Sequence, residues 1–525
     1  MICVTIASQR HRQVLAEHRF LAEKGIPLVE IRLDHLITRV NLRRLMENRP
    51  TPIIATYRRK ADGGLFEGSE QNRVTMLRGA IVEGVDYVDL EDGVAADVPR
   101  YGSTKRIVSY HNFQETPSDL DAIFERLAAQ NADVVKICTM ANSQEDNFRI
   151  LDLIRRKKDT LPIVAFCMGE IGIPSRVLCV GAGSPFTYSC VNAKSPVAPG
   201  QVVFSDMQKL YRVDKITPQT EVFGVVADPV GHSLSPLIHN SAFAHLDLDD
   251  KVYLPFRVSP EELSSFLEQA PAALNLKGLS VTIPHKEAVL PKLDATDAGV
   301  RAVGACNTIL WRTNDEGKTT LFGANTDYQA AMDSFAEVCS ADIPQHVDWA
   351  EPNDTEDGGA KARPLEGRMA LIMGAGGVGK AIACGLARRG ATLVISDIDL
   401  PRAESLAKKL SESGCVAESI PWEKRFYTDA HILVNCTPIG MSPQIAESPF
   451  DPSFMRASMI VFDAVYNPEQ TRFLKDAASR GCAVVSGLSM FARQAALQFE
   501  MFSGHPAPLD LMRAVVKRAT APAEW

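Results

Sequence analysis

At 525 residues the chain exceeds what one hydrophobic core organises, so roughly two to four domains are expected. Its apolar and charged shares, 46% and 23%, are those of a globular protein in water, and a net charge of −8 leaves no basic footprint for nucleic acid. No apolar run is long enough to span a bilayer. Met1 opens directly into ICVTIA, with no targeting segment ahead of it. The eleven cysteines are scattered, with neither CxxC nor Cys/His metal spacing. A cytoplasmic protein, or a mature form from which a transit peptide has gone, with reduced thiols and no metal is therefore expected. Oligomeric state is not encoded in these features.

From Met1 to about Leu210, strand-like and helix-like runs alternate. The strands are CVTIA, LVEIRLD, PIIATYR, YVDLE, RIVSYH, VVKICTM, PIVAFCM and FTYSC. Eight such strands in this length predict a (β/α)8 barrel over 1–212, with an open doubly wound sheet as the competing fold. In a barrel the chemistry sits at the carboxyl ends of the strands, where Glu30, Arg32, Arg58, His111 and Lys136 fall. Lys136 interrupts an apolar strand, so its ammonium is either paired or lowered in pKa. One reading is a Schiff-base lysine, since desolvation exposes the nucleophilic amine; the other is a snorkelling lysine paired with Asp133. His111 ends the neighbouring strand and can move protons around an imine. Arg32, Arg58 and Arg176, aimed at one mouth, suit an oxygen-rich carboxylate; taken singly, each is a surface ion pair.

SYHNFQETP around His111 and VKICTMANSQED around Lys136 resemble the type I 3-dehydroquinate dehydratases, as do VEIRLDH, the TYR…GG segment and the closing APGQ. The resemblance implies an imine between Lys136 and the C3 ketone of 3-dehydroquinate. It implies proton shuttling by His111, and a grip on carboxylate and hydroxyls by Glu30, Arg32, Arg58, Arg176 and Gln201. Asp62 stands where that family usually has glutamate, and Val197 where it has serine. A looser closing loop and weaker substrate binding are expected from both. A class I aldolase-type lyase, which also uses a lysine imine in a barrel, is the rival for this half.

A brief polar join leads to a second α/β segment over 221–338. FGVVAD reads as a strand, and GHSLSP as a turn opening a helix, where Ser233 and Ser235 either cap that helix or bind ligand. GLSVTIPHKE, VGACNTI and GANTDY hold out Lys286, Asn307 and Asp327. A lysine at a helix start is unfavourable for the dipole unless a ligand or Asp327 offsets it. Lys286 and Asp327 together can manage the proton that accompanies hydride transfer, while Asn307 and Thr282 hold flanking hydroxyls. An acidic, proline- and glycine-containing stretch at 339–367 reads as a surface insertion. Over 368–525 the strand RMALIM, the loop Gly374-Ala375-Gly376-Gly377-Val378-Gly379 and a helix form a dinucleotide fingerprint. The next strand ends at Asp397, about twenty residues on, where an acidic residue accepts from the ribose 2′-hydroxyl and repels a 2′-phosphate.

From Val222 onward the motif order resembles the shikimate dehydrogenases, through NCTPIGM, DAVYNPEQTRFL and GLSMFARQAALQFE. By that resemblance Tyr466 and Gln494 complete the substrate pocket and Gly487 lies near the nicotinamide. The family default is NADP, held by an Asn-Arg-Thr run; this chain has Ser396-Asp397-Ile398, which leans to NAD, with Arg402 as a residual phosphate partner. The expected fold is thus α/β throughout: an N-terminal (β/α)8 barrel, an α/β substrate domain and a Rossmann-type dinucleotide-binding domain whose last helices return to the substrate domain. The arrangement is similar to the plant dehydratase–dehydrogenase fusions, with 3-dehydroquinate, 3-dehydroshikimate and shikimate as partners and neither nucleic acid nor membrane. The alternatives are a catabolic quinate/shikimate dehydrogenase fused to the same dehydratase, and a sensor of pathway intermediates that has lost the chemistry.

Overall fold

The computed structural model describes residues 1–192, 197–231, 233–314, 316–342 and 365–521. The expected insertion at 339–367 falls for the most part outside them. The chain forms two compact units, Met1–Pro236 with Leu246–Lys277, and Leu237–His245 with Gly278–Trp525.

The first unit opens with β1 (Ile2–Ile6), β2 (Leu28–Arg32), β3 (Ile53–Thr56), β4 (Tyr87–Glu91), β5 (Lys105–Asn112), β6 (Val134–Met140), β7 (Ile163–Met168) and β8 (Thr187–Cys190). They lie in the order β7-β6-β5-β4-β3-β2-β1-β8, with parallel ladders throughout. Neighbours in sequence are neighbours in space, and β8 returns to β1. That is barrel order; a doubly wound sheet would reverse at a switch point. The ring is nearly closed: β7 and β8 meet through Phe166 and Tyr188, 6.0 Å between ring centroids, with no ladder joining the two strands. Strands covered on both faces read as apolar runs, which is why VVKICTM is buried almost to its end. The intervening helices carry ordinary signals. Helix Gln144–Lys157, for example, starts at a Ser143/Asp146 capping box and ends in basic residues that suit its dipole.

The same unit continues into β9 (Glu221–Ala227) and β10 (Lys251–Arg257), a parallel pair. Barrel helix Gln144–Lys157 packs on helix Leu263–Leu274, with Phe148 stacked on Phe266 at 6.2 Å. Gln144 Nε2 donates to the Arg257 carbonyl at 3.0 Å, and Arg257 pairs with Glu170 at 3.2 Å.

In the second unit β13 (Thr308–Thr313) runs antiparallel to both β11 (Leu276–Val281) and β14 (Thr319–Ala324), with short β12 (Ala295–Thr296) beside β14. There follow β15 (Met369–Met373), β16 (Thr392–Asp397), β17 (Ala417–Pro421), β18 (Ile432–Asn435), β19 (Ile460–Asp463) and β20 (Ala483–Val485). Their all-parallel order, β17-β16-β15-β18-β19-β20, is that of a dinucleotide-binding sheet with its switch point between β15 and β18. Ile372, Ala383, Leu386, Ile395, Val434 and Phe462 form its core. Helix Gly487–Ser503 runs back to β13: Gln498 Nε2 donates to the Asn307 carbonyl at 3.0 Å and to Thr308 Oγ1 at 2.9 Å. No described helix is long and apolar enough to cross a membrane.

Candidate active sites

Residues two apart on a strand share a face, so the barrel interior collects Thr5, Glu30, Asp89, Ser109, Lys136 and Tyr188. At the carboxyl ends lies a cavity lined by Glu30, Arg32, Arg58, His111, Lys136, Arg176 and Gln201, with Asp62 and Val197 at its rim. Every residue expected in the first site therefore reaches one space. Lys136 is 4% exposed, with Nζ 3.0 Å from Asp89 Oδ2, 3.4 Å from Glu30 Oε1 and 4.0 Å over the Tyr188 ring centroid. Glu30 is itself held by Thr5 and Thr56 hydroxyls at 3.0 and 2.9 Å.

Two expectations change here. Asp133 pairs with Arg100 at 2.9 Å, and the partners of Lys136 are Asp89 and Glu30. Nor is the lysine lowered in pKa: burial works against the ammonium, but the two carboxylates outweigh it and hold the pKa above its ordinary value. Asp89 goes the opposite way; burial would raise it, yet Arg58 and Lys136 hold it far below the carboxylate range. Burial, then Arg58 and Lys136, push His111 well below the usual histidine value. Since a guanidinium only donates, the 3.3 Å approach of Arg58 Nη1 makes His111 Nδ1 the acceptor and assigns its proton to Nε2.

The three arginines are not equivalent. Arg32 forks onto Asp34 at 3.0 and 2.7 Å, and Arg58 bridges Asp89 and Glu91 at 2.9 and 3.2 Å. Arg176 is 1% exposed and faces no carboxylate; its Nε and Nη2 find no acceptor among the described residues, and its plane lies 4.2 Å from the Phe166 ring centroid. A desolvated guanidinium with unused donors at a cavity is the natural seat for an incoming anion. The Gln201 amide oxygen accepts from Val197 N at 2.7 Å, so the main chain of Val197 ties down the closing loop whatever its side chain. A Cβ at Gly200, whose φ is +69°, would collide with the Gly169 carbonyl, so loop and β7 end meet there.

Asp89, Glu91, Asp34 and Tyr188 were not singled out from sequence. YVDLE carried a signal: two carboxylates at strand period inside a buried run need cations, and Arg58, Arg73 and Lys136 supply them.

In the second unit Lys286 Nζ lies 2.6 Å from Asp327 Oδ2. Lys286 sits on the short helix His285–Ala288 and Asp327 in the first turn of helix Thr326–Asp342. Asn307 is locked by Thr326, the residue before Asp327, and by Thr308. Its Oδ1 accepts from Thr326 N at 2.8 Å and Thr308 Oγ1 at 2.9 Å, and its Nδ2 donates to Thr326 Oγ1 at 3.0 Å. Thr282 follows β11 and its carbonyl accepts from His285 N at 2.8 Å. Ser233 and Ser235 belong to the first unit, where Ser235 N donates to Ser233 Oγ at 3.3 Å.

The glycine loop adjoins this pair: a Cβ on Gly377 would stand 3.4 Å from Lys286 Cδ. Gly374 has φ +101°, and a Cβ on Gly379 would collide with the Gly374 carbonyl, so the tight turn requires both glycines. Ala375 and Gly376 carry the loop into helix Gly377–Arg388, which takes up Val378. Nothing would lie within 4 Å of a Cβ on Gly376, which leaves space where a pyrophosphate approaches a helix N-terminus. Asp397 ends β16 and accepts from Ala375 N at 2.7 Å. These residues fit a nicotinamide dinucleotide. Tyr466 stacks on Phe491 at 4.2 Å, Gln494 donates to the Phe491 carbonyl at 3.2 Å, and Gly487 packs against the Val465 carbonyl without room for a side chain. Asn435 and Thr471 hold Asp463 at 2.9 and 2.6 Å, which explains the NCTPIGM and DAVYNPEQT motifs as a brace between β18 and β19. Among the described residues no group of His, Cys, Asp and Glu could hold a metal.

A barrel with a buried lysine, followed by a dinucleotide fold with a lysine–aspartate pair, defines a lyase joined to an oxidoreductase. Family models agree: type I 3-dehydroquinase matches residues 2–218, the shikimate dehydrogenase substrate-binding domain 225–309, and the shikimate 5′-dehydrogenase C-terminal domain 487–517. The bifunctional 3-dehydroquinate dehydratase/shikimate dehydrogenase of Arabidopsis thaliana, a chloroplastic protein, is 36% identical over 99% of this chain and 84% of its own. The NADP(+) shikimate dehydrogenase of Desulforamulus reducens is 37% identical over 58% of this chain and 98% of its own. The solved dehydroquinate dehydratase and shikimate dehydrogenase of S. pombe is 23% identical, covering 98% of both chains at a TM-score of 0.43. The chain belongs to the bifunctional 3-dehydroquinate dehydratase/shikimate dehydrogenase family.

Proposed function

We propose that residues 1–212 dehydrate 3-dehydroquinate through an imine on Lys136. In this reading 221–338 bind the product, and 368–525 hold the nicotinamide dinucleotide that reduces 3-dehydroshikimate to shikimate. The observation that carries the first step is Lys136, buried in a cavity against two carboxylates and beside a neutral imidazole. The ammonium must shed its proton before attack. His111, held neutral by burial, Arg58 and Lys136, is the base at hand. The amine then adds to the C3 ketone, and loss of water leaves a protonated imine. That cation withdraws electrons, so His111 removes the adjacent proton and returns it to the departing hydroxyl; hydrolysis frees Lys136. Arg176 takes the carboxylate, while Glu30, Arg32, Arg58 and Gln201 orient the hydroxyls.

In the second half the dinucleotide, held by Gly374, Ala375, Gly376, Gly377, Val378, Gly379, Asp397 and Gly487, supplies a hydride. Lys286, hydrogen-bonded to Asp327, delivers the proton to the ketone oxygen. Thr282, Asn307, Tyr466 and Gln494 bind hydroxyls and carboxylate; Ser233 and Ser235 enter this assignment from the hydroxyls of the GHSLSP turn alone. Relatives of this half are named as NADP(+) enzymes. Buried thiols such as Cys138, pushed up to about 11 by burial, fit a reducing compartment, here the cytoplasm.

The test is to supply 3-dehydroquinate and follow oxidation of NADH and NADPH in parallel. Oxidation in either confirms both sites in series. No oxidation with 3-dehydroquinate, but oxidation with 3-dehydroshikimate, refutes the dehydratase half. A catabolic quinate or shikimate oxidation shares the same residues and is favoured by Asp397; relative turnover of quinate and shikimate separates it.

A further inference from the structure

We infer that the dinucleotide fold of this chain is built for NAD(H), in contrast to the NADP(+) named for its relatives, and that Asp397 with Asp399 sets the choice. The inference rests on the dehydrogenase reading above.

β15 and β16 are paired in parallel, Met373 level with Ser396, so the end of β16 lies beside the glycine loop. Asp397 is the last residue of β16 and 6% exposed. One of its oxygens accepts from Ala375 N in the glycine loop at 2.7 Å, and the other from Asp399 N at 2.9 Å. The carboxylate is thereby fixed in orientation, with one lone pair of each oxygen still free to accept. An acid in this place, at the end of the second strand, accepts hydrogen bonds from the two adenosine ribose hydroxyls. A 2′-phosphate would replace a donor by a group of about −1.5 to −2 charge set against a fixed, partly desolvated carboxylate.

Nothing in the turn from Ser396 to Arg402 offsets that charge. Ile398 is 89% exposed and has no donor. Asp399 adds a second carboxylate. Arg402, the one guanidinium of the turn, lies 3.8 Å from Asp399 in an exposed pair, so the two side chains together add no net positive charge to the turn. The turn therefore presents net negative charge at the ribose edge. Arg402 as a phosphate partner, kept open from sequence, would have to leave Asp399 to serve.

The direct test titrates NADH and NADPH into the full-length protein without substrate, following nicotinamide fluorescence. NADH is expected to bind at least tenfold more tightly. Asp399→Asn, which keeps an N-cap residue at an exposed position, and Asp397→Asn with Ile398→Arg should then raise NADPH affinity about tenfold while NADH affinity stays equal or falls. NADPH binding as tight as NADH in the unaltered protein overturns the inference and leaves the dehydrogenase reading intact. Failure to bind either dinucleotide overturns both. An NADH preference that neither set of substitutions narrows would also overturn the assignment to Asp397 and Asp399.

Discussion

Asp89 stands between Lys136 and Arg58, with Oδ2 at 3.0 Å from Nζ of the lysine and Oδ1 at 2.9 Å from Nη2 of the arginine. One fully buried carboxylate thus bridges two buried cations, each with a second carboxylate, Glu30 for Lys136 and Glu91 for Arg58, and the charge state of the lysine is set by residues of other strands.

Removing that carboxylate should be costly. Asp89→Ala leaves two buried cations short of a partner, and a loss of about 3–5 kcal/mol in barrel stability is expected. Asp152→Ala, which breaks the exposed Arg156 pair at 2.8 Å, should cost about 0–1 kcal/mol. Denaturant unfolding of the two variants gives the comparison; equal losses would contradict the arrangement.

Acid should weaken the fold in two stages. His111 is held neutral by burial, Arg58 and Lys136, well below its ordinary value of about 6.5. Below that pH the unfolded chain binds a proton that the folded chain does not, so stability falls as pH falls. Asp89 is depressed by Arg58 and Lys136; its contribution is fully present above about pH 4 and declines below it. His18, His35 and His239 are likewise lowered by burial, so the thermal midpoint should drop from pH 7 to 5, and His111→Gln should reduce that slope by its own share and leave the steeper fall below pH 4. An unchanged slope in the variant would refute the role given to His111.

Legibility followed the range of the interactions. The barrel strands, the glycine loop and Lys286, Asn307 and Asp327 could be read because each depends on local period or on a short polar cluster. The partners of Lys136 could not, because Glu30 and Asp89 reach it through barrel closure, across 106 and 47 residues of chain. The same closure overturns the pKa argument: burial alone predicts a lowered lysine, and only the pairing carboxylates reverse the sign. Arg58 looked equivalent to Arg176 for the same reason, since Asp89 and Glu91 are brought to it by the fold, whereas the Asp34 partner of Arg32 stood two residues away in sequence.

In the proposed mechanism Lys286 and Asp327 act only on the second reaction. Lys286→Met and Asp327→Asn should each lower kcat for shikimate oxidation by about 10²–10⁴-fold while dehydration of 3-dehydroquinate is unchanged. Steady-state assays of the two half-reactions check this. A parallel loss of both activities would point to a folding defect instead.

The closing loop of the barrel offers a gain of function. Val197 keeps Gln201 through its main chain, and Asp62 pairs with Arg59 at the cavity rim. Val197→Ser adds one donor at that rim, worth about 0.5–1.5 kcal/mol, so KM for 3-dehydroquinate should fall about two- to tenfold with kcat little changed. Asp62→Glu, with its longer reach, should act in the same direction. A rise in KM for both would show the loop to be adapted to the residues it has.

The imine is the central claim, and borohydride reduction in the presence of 3-dehydroquinate tests it most directly. Peptide mapping should find a stable adduct on Lys136, absent without substrate, and Lys136→Ala should abolish both the adduct and dehydration while shikimate oxidation persists. Dehydration that survives in Lys136→Ala, or an adduct on any other lysine, would contradict the account.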